Sequence, residues 1–129
     1  MTSLTLTIDE RADSTVIRVC GEVDATNHAR LAAALNEARR LGAPIVMDLS
    51  AMTFLDSSGL NVLLRAYNQS AHDGLHLRLA ALHPRPHRLL EIAGLLPHLR
   101  TCTTVGQALA EISAHRPKPL TTPSPAPPR

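Results

Sequence analysis

A chain of 129 residues with 44% apolar content can bury the core of one ordinary domain, and with aromatics at 2% that core must be built from Leu, Ala, Val and Ile. So few aromatics leave little for stacking on bases or sugars. The formal charge of +2 is carried by Arg116, Lys118 and Arg129: removing these three from 13 basic residues leaves 10 against 11 acidic ones, a net of −1, too weak a field to draw a polyanion.

Leu4, Leu6 and Ile8 alternate with Thr5, Thr7 and Asp9, a period of two that predicts a strand with one wet face. After a turn around Arg11 to Asp13, the β-branched Val16, Ile17 and Val19 predict a second strand over Thr15 to Cys20, and the two read as a hairpin. Gly21 ends that strand, and Asp24 or Thr26 is placed to cap a helix whose apolar face carries Leu31, Ala34, Leu35, Ala38 and Leu41. Gly42 and Pro44 stop this helix. Ile45 to Leu49, charged only at Asp48, predicts a central strand buried on both faces. From Leu60 the spacing turns helical, through Leu63, Leu64, Tyr67 and Ala71.

Leu75, Leu77 and Leu79 alternate with His76 and Arg78 and predict a fourth strand. Pro84 and Pro86 precede Leu89, Leu90, Ile92 and Ala93, a short helix closed by Gly94. A brief strand near Leu99 to Thr101 and an amphipathic helix carrying Val105, Ala108, Leu109 and Ile112 follow. From Arg116 onward six of fourteen residues are proline, which predicts a disordered tail over 116–129 beyond a single domain over 1–115. The order β-β-α-β-α-β-α-β-α implies an α/β fold with a mixed, mainly parallel sheet and helices packed on it.

Cys20 and Cys102 belong to no Cys-x-x-Cys pair, and they read as small core residues of a reducing compartment. His72 and His76 span a helix end with Gly74, and His83 and His87 span two prolines, so neither pair holds the geometry of a metal site on one helix face. No metal or other cofactor is expected. The first residues lack a secretory pattern and no apolar run reaches membrane-spanning length, so a cytoplasmic protein without a membrane partner is expected.

The most informative segment is Asp56-Ser57-Ser58-Gly59, set between a buried strand and the strongest helix. The first N–H groups of a helix have no partner inside it, and a single polar side chain here suffices as an N-cap, worth about 1 kcal/mol. Three small polar groups in a row exceed that need and leave two for solvent. A phosphoryl group on Ser57 would add about −1.5 to −2 charges beside a partly positive helix end, which the fold tolerates and a docked partner need not.

Val46-Met47-Asp48-Leu49 followed by Phe54-Leu55-Asp56-Ser57-Ser58-Gly59-Leu60 resembles the STAS domain of bacterial anti-sigma factor antagonists. Gly21-Glu22-Val23-Asp24 and Leu89-Leu90-Glu91-Ile92-Ala93-Gly94-Leu95 resemble two further stretches of that family, and the resemblance covers roughly residues 4 to 113. It implies a partner-switching cycle. The unphosphorylated protein binds an anti-sigma factor that is also a serine kinase, a sigma factor is released, phosphorylation at Ser57 ends the contact, and a phosphatase resets it. The chain is then a substrate and not an enzyme, and Asp24, Asp56, Ser57, Ser58, Gly59 and Asn61 are the expected partner-binding residues. Asn61 departs from the family, many of whose members carry glycine there.

Three other readings compete. The domain could serve as an unphosphorylated STAS interaction module in a larger assembly. A phosphoacceptor domain using Asp48 would want an acidic cluster for magnesium and a cationic partner, and no lysine precedes Lys118. A serine hydrolase would want Gly-x-Ser-x-Gly, where this chain has Leu55-Asp56 before the serines.

Overall fold

The first two apolar runs pair as the period-of-two pattern requires. In the computed structural model, which describes residues 3–115, β1 (Leu4–Glu10) and β2 (Thr15–Val23) form an antiparallel hairpin with Leu6 opposite Val19 and Ile8 opposite Ile17. Beyond it, α1 (His28–Arg40), β3 (Ile45–Leu55), α2 (Ser57–His72), β4 (Leu77–Ala80), α3 (Pro84–Ile92), β5 (Thr101–Cys102) and α4 (Val105–His115) follow in order, with one 3₁₀ turn at Leu96–His98. The sheet order is β1-β2-β3-β4-β5, antiparallel at the first pair and parallel at the other three. This is the mixed, mainly parallel α/β sheet expected from the element order. The proline-rich tail read over 116–129 lies outside the described residues.

Alternation sorts each strand's side chains onto two faces. Ile17, Val19, Ile45, Met47, Leu77 and Leu79 face a core closed by Leu31, Leu35 and Ala38 of α1 and by Leu63 and Ala66 of α2. On the other face, Val16, Val46, Ala80 and Cys102 pack on Ala108 and Ile112 of α4. Burial of such aliphatic side chains, each worth about 1.5–3 kcal/mol, is the main attraction holding the layers together.

Several boundaries differ from the sequence reading. β3 runs on to Leu55 instead of stopping at Leu49, because its pairing with β2 continues to Val23↔Leu55. Two register shifts, between Arg18/Cys20 and between Gly21/Glu22, each insert an extra β3 residue and break the period of two over Ser50 to Phe54. Gly21 sits at the second shift with φ +105, and a Cβ there would stand 2.1 Å from the Ser3 carbonyl oxygen, so only glycine fits. Leu41, expected on the buried face of α1, is 40% exposed at the helix C-cap, and Ile92, expected in the α3 core stripe, is 72% exposed. The α3 helix instead buries Pro86 and Leu90. The fourth strand starts at Leu77, leaving Leu75 before it, and Arg78 within it is buried.

Candidate functional site

The extension of β3 carries the chain to the C-terminal end of the sheet, where the next residue, Asp56, leads into α2. Asp56 is extended, with φ −102, and acts as the N-cap. Its Oδ1 accepts from the N–H groups of Ser58 at 2.9 Å and Gly59 at 3.1 Å, and its carbonyl accepts from Leu60 N–H at 2.9 Å. The capping task is therefore met by Asp56. Ser57, the first helical residue, is exposed, and Ser58 is half-buried.

The cap is anchored to the adjacent strand end. Asp56 N–H donates to the Val23 carbonyl at 3.2 Å, which brings the turn after β2 beside the turn after β3. This parallel pairing places Asp24 close to the serine turn. Neither Asp24 nor Thr26 is the α1 N-cap, however. That position belongs to buried Asn27, whose side chain makes no capping bond. Asp24 Oδ1 accepts from Thr26 N–H at 2.9 Å and Thr26 Oγ1 at 2.6 Å, folding the turn on itself. Asn27 braces it, its Oδ1 accepting from Asp24 N–H and its Nδ2 donating to the Glu22 carbonyl, both at 2.9 Å. Here the sequence reading missed Asn27; its position three residues after Asp24 in a polar turn was the available signal.

Gly59 is buried. A Cβ on it would lie 2.5 Å from Leu55 Cδ1 and 2.7 Å from Val23 Cγ1, so the close approach it permits is that of α2 onto the ends of β2 and β3. Ser57 is thereby held at a fixed height above the sheet. Ser58 and exposed Asn61 turn toward an open groove of about 640 Å³ between α1 and α2, whose walls also include His28, Ala32, Asn36 and Arg65. Among the predicted positions, Asp24, Asp56, Ser57 and Ser58 converge at the end of the sheet, Asn61 lies one turn further along α2, and Gly59 lies beneath them.

Asp48 is placed differently. It sits inside β3 and not at a strand end, its Oδ1 accepts from Ser50 N–H at 3.1 Å and Ser50 Oγ at 2.7 Å, and its Oδ2 is 4.0 Å from Arg18 Nε. Its carboxylate is engaged within the strand. His72 ends α2 while His76 precedes β4, and His83 is the α3 N-cap, bonded through Nε2 to the Ser50 carbonyl, while His87 lies inside the helix. Among the described residues no group of three or more His, Cys, Asp or Glu side chains is arranged to hold a metal ion. No described helix is long and apolar enough to cross a membrane. Cys102 is buried, and burial first, then the negative charge of Glu111, pushes its thiol pKa above the ordinary value.

The layered α/β sheet with a capped serine turn at its end defines a class of small α/β domain, and the chain belongs to the STAS domain family, whose pattern matches residues 5–108. An anti-sigma F factor antagonist of Paenibacillus polymyxa is 31% identical over 99 residues, covering 75% of this chain and 85% of that protein. Among solved structures, an anti-sigma factor antagonist from Mycobacterium paratuberculosis superposes with a TM-score of 0.77 at 27% identity, covering 86% of this chain and 95% of that one. The Bacillus cell-fate determinant SpoIIAA in its phosphorylated form shares the fold, with a TM-score of 0.66 at 22% identity over 84% of this chain and 99% of that one.

Proposed function

We propose that this chain is an anti-sigma factor antagonist that works by partner switching. With Ser57 unmodified, the adjacent turns that carry Asp24 and Asp56, Ser57 and Ser58, together with Asn61, dock on an anti-sigma factor and so free a sigma factor. The anti-sigma factor, acting as an ATP-dependent serine kinase, phosphorylates Ser57 and loses its grip, and a phosphatase restores the hydroxyl. The chain is the substrate of this cycle and not an enzyme, nucleotide is held by the partner, and the cycle runs in the cytoplasm.

The observation that carries this reading is the exposed hydroxyl of Ser57 at the first position of α2, beside a cap already supplied by Asp56. A phosphoryl group there would bring about −1.5 to −2 charges next to the Asp56 carboxylate. The partly positive helix end offsets part of that repulsion, by about 0.3–1 kcal/mol, so the domain stays folded while its docking surface becomes strongly anionic. A surface that had met its partner through a neutral hydroxyl then opposes it, since like charge forced together in a contact costs several kcal/mol. Similarity to the anti-sigma F factor antagonist of Paenibacillus polymyxa supports the partner class.

The test is retrieval of partners from the native lysate by wild type, Ser57→Ala and Ser57→Asp chains. A kinase-like anti-sigma factor should be retained by the first two and lost or weakened with the third. Equal recovery by all three would remove the switch.

A further inference from the structure

At the far end of α2 from Ser57, about 24 Å along a helix of 16 residues, a second cavity of about 460 Å³ opens beside the outer edge of β4. Tyr67, Ala71 and Leu75 form one side of it, and His76, Arg78 and Arg100 contribute to the other. Its volume lies in the range of about 300–1,000 Å³ typical of small-molecule sites.

Three residues with donors border this cavity, Leu77, Arg78 and Arg100. Arg78 is 3% exposed, an unusual position for a full charge. Its Nε donates to Glu111 Oε1 at 3.3 Å, which uses one of five guanidinium N–H donors, and the residue borders the cavity. Arg100 is exposed at the rim and forms no ion pair among the described residues. The third donor is backbone. Leu79 N–H donates to the Arg100 carbonyl at 2.9 Å and Ala81 N–H to the Cys102 carbonyl at 3.0 Å, so Leu77, two residues earlier, turns its N–H to the same side. There β5, which pairs only from Leu79↔Thr101 onward, supplies no strand partner. Against these donors stands the Glu111 carboxylate, which Arg78 already engages.

We propose that this cavity binds a small organic carboxylate. The exposed Arg100 guanidinium and the Leu77 N–H take the carboxylate oxygens, in the forked geometry arginine favours, and the buried Arg78 charge behind them adds attraction. Tyr67, Ala71 and Leu75 cover the apolar body, and a bare inorganic ion would leave that side of the cavity unfilled.

Amide spectra of the isotopically labelled full chain, titrated with benzoate and in parallel with inorganic phosphate and chloride at constant ionic strength, test the assignment. Benzoate should give saturable shifts at the Leu77, Arg78 and Arg100 amides. Arg100→Gln, a change at an exposed residue whose ligand-free spectrum checks its fold, should weaken binding about tenfold or more. Ala71→Trp, also at an exposed site, should block the mouth independently, while Arg88→Gln on α3 leaves binding unchanged. Absence of saturable shifts at Leu77, or wild-type affinity in both Arg100→Gln and Ala71→Trp, would overturn the site. Phosphate binding as tightly as benzoate would overturn the organic ligand class.

Discussion

Replacing Asp56 separates the two tasks assigned to its carboxylate. In Asp56→Ala the N–H groups of Ser58 and Gly59 lose the acceptor they meet at 2.9 and 3.1 Å, and nothing in the alanine side chain replaces it. Loss of an N-cap costs about 0.5–2 kcal/mol. Two bonded amides in a half-buried turn place this one in the upper half of that range, about 1–2 kcal/mol. For a domain of this size that is a fall in Tm of roughly 4–8 °C. Asp56→Asn keeps an oxygen acceptor in the same place and should cost only a few tenths of a kcal/mol. Scanning calorimetry gives the stabilities, and amide exchange at Ser58 and Gly59 shows whether the loss is local to the first turn of α2. The pair also isolates charge in partner binding: if Asp56→Asn folds like wild type, any change in its affinity reports the lost carboxylate. Asp56→Ala melting together with wild type, with unchanged exchange at both amides, would refute the capping argument.

Gly59→Ala should destabilise by about 1–2 kcal/mol by denaturant titration, because overpacking against Val23 and Leu55 outweighs the helix preference of alanine; a gain in stability would contradict the packing described for α2. Gly21→Ala combines a strained positive φ with a clash on the Ser3 carbonyl, and it should lose about 2 kcal/mol or more in the same assay, whereas Gly42→Ala, with open space around its Cβ position, pays only for its φ. Thiol titration of the native chain should label half-buried Cys20 and spare Cys102 until the chain unfolds; equal rates would contradict the burial of Cys102. The Cys102 thiol also has a pH signature. Its folded pKa lies above the ordinary 9.0, so the folded chain holds that proton more firmly than the unfolded one, and stability falls as pH rises through 9.0 toward the folded value. Denaturant titrations across that window should show the fall in wild type and a shallower one in Cys102→Ala.

Where one period dominates, the sequence was readable. The α2 helix follows from Leu60, Leu63, Leu64 and Tyr67, and the β1–β2 hairpin from strict alternation, because in both a single face is buried. The C-terminal half of β3 was not readable, since its two register shifts scramble alternation and its pairing depends on β2, which is distant in sequence. The alternation that predicts β4 does not say that Arg78 is buried, which follows from α4 covering that face and supplying Glu111 as a partner. Ile92 failed in the opposite direction: its helix is short and turns Pro86 and Leu90 inward, leaving the last apolar residue in solvent. Of the candidate site, the position of the serine turn was legible because the apolar period changes to a helical one just after it. Which of them caps was not, because Asp, Ser and Ser are nearly equivalent caps and only the backbone geometry at Asp56 decides between them.

In the proposed cycle Ser57 is the residue whose modification decides docking. This is tested most directly by incubating the purified chain with its purified anti-sigma factor and magnesium ATP, mapping the product by mass spectrometry, and measuring the affinity of modified and unmodified chains for the same partner by calorimetry. One phosphoryl group on Ser57, none in Ser57→Ala, and binding by the unmodified chain alone are expected. Phosphate on another residue, or equal affinity of the two forms, would contradict the proposed cycle.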